Sequence, residues 1–218
     1  MESLAGADEW IADAAESVFG PGTRGGGTTM EKVAGRTRIT LTTNRGQVTG
    51  WWPERTLERA WTSDMRVDAG DLAKDEVRAP GRRCAERWFP ASISGSRETV
   101  DVMGEGRGTV YVLTYRRYKG GVMMPMRLDL TITSSGRMMG FASRPVPDPA
   151  LPGAAISRDE AMRLAREETG VEAEAAVLLA QKIGTRWRPV WTLGVKSGSE
   201  SRDLFLDAVS GKRVQPTP

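Results

Sequence analysis

Three stretches of this 218-residue sequence repeat one pattern of apolar and polar residues. They are ITLTTNRGQV at 39–48, LTITSSGRMM at 130–139 and LFLDAVSGKRV at 204–214. In each, alternating apolar residues lead into a short polar stretch, a glycine and a return to apolar residues. Alternation predicts half-buried strands, and the glycine supplies the positive φ of a tight turn. We therefore predict one supersecondary unit used about three times, although three unrelated hairpins would give the same pattern.

Helical periodicity appears before and between these stretches. Residues 8–19 carry an apolar stripe with acids opposite it, which predicts an amphipathic helix. Ser157 is placed to cap a second helix, and a weaker helix over 68–78 is expected to stop or kink at the Pro80-Gly81 pair. Helices combined with antiparallel strands predict an α+β fold of tandem small units, each a helix packed on an antiparallel β-sheet.

Breaks in these patterns predict the domain organisation. The run PGTRGGGTT at 21–29 lacks alternation and predicts a flexible linker, and RPVPDPALPGAA at 144–155 holds four prolines and predicts an extended one. The predicted segments are an N-terminal helix and Gly-rich linker at 1–30, a partial unit with a β-hairpin at 31–65, a complete unit at 66–143, the Pro-rich linker at 144–155 and a second complete unit at 156–218.

Two absences restrict the chemistry. The sequence has no histidine, which excludes histidine-based catalytic triads and His-ligated metal sites. Cys84 is its only cysteine, so it forms neither an intramolecular disulfide nor a cysteine zinc cluster, and we interpret it as a small packed residue. The formal charge of +3 is too small to indicate nucleic acid or lipid binding by itself. We expect no enzyme activity, no cofactor and no metal.

The carboxylates on predicted strands fit structural roles better than catalysis. The spacing of Asp101, Asp129 and Asp207 does not define the acid–base pair that a glycoside hydrolase needs. Asp207 occupies the position before the turn glycine where the other two repeats carry threonine or serine. Such a position accepts any small polar group, so we predict that Asp207 shapes its turn.

A partner-binding surface is the remaining candidate site. Arg116, Arg117, Tyr118 and Lys119 lie where a predicted strand meets its turn and could face an acidic partner, although a solvated hairpin tip explains them equally. Trp51 adjoins Trp52 on a strand, so only one of the two enters a given core. We therefore include Trp51 in the candidate partner-binding surface. The alternative is that Trp51 packs between two units.

The sequence contains no run of about 20 apolar residues, so it predicts no transmembrane helix. The first 20 residues carry acids rather than a basic start and an apolar core, so they do not match a signal peptide. The expected location is therefore the cytoplasm, unless an export segment was trimmed from this chain.

Three motifs mark the C-terminal part of the sequence, namely ISRDEAMRLAREETG, RPVWTLGV and LFLDAVSGKRV. Together they resemble the PepSY domain over about 156–216. The stretch YVLTYRRYKGGVMMPMRLDLTITSSGRMMGF is similar to the related propeptide unit of thermolysin-like metalloproteases, and covers about 66–143. With 36–52 as the tail of an earlier unit, the chain would contain about two and a half copies.

The resemblance implies a noncatalytic module that is exported or membrane-tethered and that inhibits or assists a protein partner. We expect binding or regulation of a partner, with a peptidase as one candidate, in the cell envelope or outside the cell. A basic module that binds an anionic polymer, either a wall polymer or nucleic acid, is the alternative, and nucleic acid is not favoured. A carboxylate-pair hydrolase is the third hypothesis.

Overall fold

The computed structural model describes residues 6–64, 66, 70–197 and 200–217, and these residues form an α+β fold. The helices of this part are α1 (Ala7–Phe19), α2 (Arg78–Trp88), α3 (Pro90–Ile93) and α4 (Arg158–Thr169). Its strands are β1 (Gly25–Val33), β2 (Arg36–Thr43), β3 (Gly46–Trp52), β4 (Thr56–Thr62), β5 (Ser96–Met103), β6 (Val110–Lys119), β7 (Val122–Thr133), β8 (Met138–Arg144), β9 (Ala173–Ile183), β10 (Arg186–Ser197) and β11 (Glu200–Asp207).

The chain divides into two compact units, and the second is discontinuous in sequence. The first unit contains the residues up to 116 together with 126–145. The second contains 117–125, which is the tip of the β6–β7 hairpin, and the residues from 146 onward. These boundaries differ from the predicted ones because 117–125 packs with the C-terminal strands. The number of PepSY-like copies stays a prediction.

The first unit is a sheet in the order β1-β2-β3-β4-β8-β7-β6-β5. The pairs from β1 through β4 to β8 and β7 are antiparallel. Helix α1 buries its whole predicted apolar stripe, and this confirms the amphipathic helix. The buried side chains are those of Trp10, Ile11, Ala14, Ala15, Val18 and Phe19, joined by Ala7.

The predicted Gly-rich linker at 21–29 is wrong over its second half. Strand β1 begins at Gly25 and pairs with β2 from Gly25 opposite Thr43 to Val33 opposite Arg36. Strand pairing uses backbone groups, so three consecutive glycines can join a ladder without a side-chain pattern. The predicted hairpin at 31–65 is consequently part of a four-stranded meander that continues through β4.

The predicted helix over 68–78 is also wrong, because its described residues before Arg78 are coil and turn, and Pro80-Gly81 lies inside a helix rather than at its end. Helix α2 starts at Arg78, which puts Pro80 in the first turn, where its missing N–H needs no helical partner. Gly81 is buried, and a Cβ there would lie 2.3 Å from Leu113 Cδ2, so glycine allows close packing of helix on sheet. Part of the predicted helix over 68–78 falls on residues 68–69, outside the described residues.

The second unit packs α4 on antiparallel strands. Strand β10 pairs with β9 on one side and β11 on the other. Helix α4 begins as predicted, since the Ser157 hydroxyl accepts the backbone N–H of Glu160 at 3.2 Å. A parallel pairing of Met123 with Leu179 joins the hairpin tip to β9. A small apolar cluster of Val122, Met124 and Ala180, with Leu151, Leu178 and Trp187 against it, covers this junction.

Candidate partner-binding surface

Arg116 is the first of the predicted surface residues, and it belongs to the first unit. Its guanidinium forms an ion pair with Asp129 and donates to the carbonyls of Tyr115 at 3.0 Å and Leu128 at 3.2 Å. These contacts hold the side chain along β6 and β7. Asp129, one of the three acids considered for catalysis, is engaged by the same pair.

Arg117 and Lys119 lie at the hairpin tip of the second unit and share one carboxylate. Asp148 Oδ2 is 3.1 Å from Arg117 Nη1 and 3.0 Å from Lys119 Nζ. The Asp148 side chain is only 6% exposed, so this acid is buried against the tip. Burial raises the pKa of Asp148, but the hydrogen bonds from Lys119 and Arg117 outweigh burial and hold this pKa below its usual range.

The segment predicted as an extended linker at 144–155 therefore contacts the hairpin tip through one acid. It has no regular secondary structure after Arg144, as the prolines predict. Asp148 nevertheless anchors it through Arg117 and Lys119, and Leu151 packs on the apolar cluster. The segment is therefore a strap, fixed to the hairpin tip of the second unit at Asp148, and no local feature of the sequence predicts this contact.

The two aromatic residues of the predicted surface have different surroundings. Tyr118 is exposed at the end of β6. Trp51 is half-buried on β3, with the Arg36 guanidinium carbon 4.3 Å from its ring centroid and that of Arg38 6.0 Å away. One face of Trp51 therefore carries a cation already. The structure places Trp51 and Arg116 in the first unit and the other three residues in the second.

Asp207 shapes its turn, as the repeat predicts. Its Oδ1 accepts the backbone N–H of Val209 at 2.8 Å and of Ser210 at 3.2 Å. In the turn after β2, the Thr43 hydroxyl oxygen accepts the N–H of Gly46 at 3.0 Å, and after β7 that of Thr133 accepts the N–H of Arg137 at 3.1 Å. Three turns thus use one side-chain oxygen in the same way.

Asp207 also makes an ion pair that the sequence does not predict. Arg188 Nε donates to Asp207 Oδ2 at 2.8 Å, and the Asp207 side chain is 8% exposed. Burial raises the pKa of Asp207, but hydrogen bonds from Arg188 and from the two turn N–H groups outweigh it, so the pKa lies below its usual value. Strand alternation could have indicated this pair. Val190 pairs with Asp207, and Arg188, two residues before Val190, points to the same face of β10.

The remaining chemical candidates lack the surroundings of a reactive group. Burial raises the pKa of the Cys84 thiol to about 11, against the opposing charge of Arg87, so the thiol is protonated at neutral pH. Asp101 is exposed on β5. Within the described residues, no three or more Cys, Asp or Glu side chains are grouped as metal ligands. In the same part of the chain, no helix has the length and apolar character to cross a bilayer.

The first unit exposes both ends of its strand order. Within the part of the chain that the structure describes, strand β1 pairs only with β2, and all nine of its residues are exposed. Met30 and Val33 are its large apolar side chains, each 39% exposed. An edge strand of this kind presents unpaired backbone N–H and C=O groups that another extended chain can bind.

Comparison with known proteins identifies the fold but no family. No protein-family profile matches the chain, and no curated protein does. Among solved structures the chain is similar to the Bacillus megaterium YpeB C-terminal domain, with a TM-score of 0.55 and 11% sequence identity over 98% of each chain. At this identity the similarity shows that the two chains share a fold across nearly their whole length.

Proposed function

We propose that this chain is a noncatalytic, PepSY-like module that binds a protein partner and regulates it. The similarity to the YpeB C-terminal domain supports a PepSY-like fold, and the C-terminal motifs of the sequence agree with it. A peptidase is the first partner class to test, because the resemblance to protease propeptides implies one. On the same resemblance we place the protein in the cell envelope or outside the cell, which fractionation of the native host would test.

The observation that carries this proposal is the open edge of β1. Nine consecutive exposed residues leave one row of backbone groups available along the whole strand. A partner segment in extended conformation would add as a further strand, with main-chain hydrogen bonds supplying most of the affinity. The two exposed apolar side chains, Met30 and Val33, would lie on opposite faces of the added strand and give it some sequence preference.

Both arginines beside this edge, Arg36 and Arg38, are paired with carboxylates, and this favours a neutral partner segment over an anionic polymer. Glu31 on β1 binds Arg38 on β2 at 3.1 Å, and Arg38 also binds Glu58 at 3.0 Å. At the strand end Arg36 binds Glu54 at 2.7 Å. With these arginines compensated, Lys32 is the remaining cation of β1, and it donates to the Thr37 hydroxyl. Backbone pairing and apolar contact are therefore the main interactions left for a ligand at β1.

The experiment uses two neighbouring proline substitutions, T28P and T29P, in the full chain. Successive N–H groups of a strand point alternately to β2 and to the open edge, so one proline removes an open-edge donor and the other breaks the β1–β2 ladder. The variant that keeps the wild-type Tm is the specific probe, and the other is its control. Partners are captured from the envelope fraction of the native host, and inhibition is measured with any peptidase recovered.

Loss of the captured partner with the thermally unaffected variant is the expected result. Capture that is equally strong with that variant would refute strand addition at β1. Recovery of no protein partner by the wild-type chain at physiological salt would refute the binding function itself.

A further inference from the structure

The other end of the first unit is the edge strand β5, which pairs with β6 alone. Arg97, Asp101, Val102 and Met103 are exposed on it, and Val102 and Met103 are 50% and 58% exposed. Among the described residues, the side chains of Arg97 and Asp101 have no hydrogen-bond or ion-pair partner. Within the described residues, the strand therefore presents an open backbone edge, one free cation and one free anion.

The two free charges lie on the same face of β5. Side chains alternate along a strand, so Arg97, Thr99 and Asp101 point to one side. Glu98 and Val100 point to the other, where Val100 is buried and Glu98 is 10% exposed and paired with Arg78. The strand thus has an inner face packed on the unit and an outer face that holds both charges.

We propose that β5 is a self-association surface, at which two copies of this chain pair their β5 strands antiparallel about a two-fold axis. An axis perpendicular to the sheet keeps both inner faces on the same side, so paired residues must have the same parity. In the register centred on Thr99, Arg97 of each copy lies opposite Asp101 of the other. Two symmetry-related cross-strand ion pairs form, and both free charges are neutralised.

The neighbouring registers do not achieve this. Centring the axis on Arg97 or on Asp101 places that residue opposite its own copy, which opposes like charges. Centring it on Glu98 or Val100 leaves neither charge facing its opposite. The Thr99 register also sets the exposed Val102 and Met103 opposite the small residues Ser96 and Gly95 of the second copy.

Strand β1 shows that such self-complementarity is not a general property of an edge strand. Its adjacent charges, Glu31 and Lys32, point to opposite faces, so no two-fold register can place one opposite the other. The registers centred on either residue oppose like charges instead. The sequence of β5 therefore specifies a second copy of the chain, whereas β1 does not.

The first test is the oligomeric state by sedimentation velocity from micromolar to millimolar protein, at low and at high salt. We expect a reversible dimer that weakens with salt. R97D and D101R should each weaken the dimer by at least about tenfold, because the Thr99 register then opposes like charges. The double variant R97D/D101R restores both ion pairs, so its dimer dissociation constant should return to within about threefold of the wild-type value. K32E is the matched control, because it changes the net charge as R97D does but acts on β1.

The second test reads the register directly. Thr99 lies opposite itself, and opposed Cα atoms in an antiparallel pair are about 4.5–5.5 Å apart, within disulfide range. C84A/T99C should form a disulfide-linked dimer on mild oxidation, and C84A/T28C, on β1, should not. The proposal is overturned if the wild type stays monomeric to millimolar concentration, if R97D and D101R leave dimerisation unchanged, if the double variant fails to recover, or if T28C cross-links as well as T99C.

Discussion

Arg188 on β10 donates to Asp207 at the end of β11 across 2.8 Å, while the other oxygen of the same carboxylate holds the turn that follows. One buried acid thus joins two neighbouring strands and a turn. We predict that D207A lowers the free energy of unfolding by about 2–3 kcal/mol, because two turn N–H groups and a half-buried guanidinium lose their acceptor. Chemical denaturation monitored by tryptophan fluorescence measures this loss.

D207N is the matched control for the charge. The amide keeps an acceptor oxygen for the turn but loses the ion pair, so its cost should be about half that of D207A. R188M should resemble D207N, since it leaves the turn hydrogen bonds in place. Equal costs for D207A and D207N would show that the turn hydrogen bonds contribute nothing.

The pKa values predict how stability depends on pH. The pKa values of Asp148 and Asp207 lie below the usual aspartate value, because partner hydrogen bonds outweigh burial. A carboxyl whose pKa is lower in the folded chain stabilises it when ionised, so this stability is present above about pH 4 and is lost as the pH falls through the folded-state values. Urea unfolding from pH 7 downward should show this loss, and D207A should show a shallower acid dependence. An unchanged profile in D207A would contradict the assignment.

The two ion pairs of Asp148, with Arg117 and with Lys119, should contribute unequally to stability. Arg117 is 18% exposed and Lys119 is 59% exposed, so solvent screens the lysine pair more strongly. We expect R117A to cost about 1–2 kcal/mol and K119A less than about 0.5 kcal/mol. Double-mutant cycles with D148A measure the two couplings. The exposed pair Arg166–Glu172 gives a control cycle, for which we expect almost no coupling. Equal couplings for Arg117 and Lys119 would contradict the argument.

At Gly81 we expect the cost of a packing clash to outweigh the higher helix propensity of alanine. Alanine is favoured over glycine inside a helix by about 1 kcal/mol, but a Cβ at Gly81 would lie 2.3 Å from Leu113 Cδ2, and Leu113 is fully buried in a close-packed core. G81A should therefore destabilise the chain by about 1–2 kcal/mol in thermal or urea unfolding. G27A, where a Cβ meets no atom within 4 Å, is the control and should be nearly neutral. A stabilising G81A would contradict the packing argument.

Local sequence signals predicted the local features of this fold. The apolar stripe of α1, the Ser157 cap and the three polar turn positions each depend on residues within a few positions of one another. The sequence did not predict β1, because its glycines have no alternation and its pairing with β2 defines it.

The same limit applies to the candidate site. The charges of Arg117 and Lys119 are compensated by Asp148, about thirty residues away, and the pairing of Asp207 with Arg188 depends on the register of two strands. Register and long-range contacts arise from tertiary packing, so composition and periodicity do not reveal them.

The discontinuity of the second unit has a consequence for how this chain is made. On the ribosome, residues 117–125 emerge well before β9 at Ala173–Ile183, and the apolar contact of Val122 and Met124 with Ala180 must wait for that later synthesis. A recombinant fragment that begins at 146 would lack this cover and leave the apolar side of β9 open to aggregation. The Pro-rich stretch looks like a convenient place to cut the gene, but the folding unit crosses it.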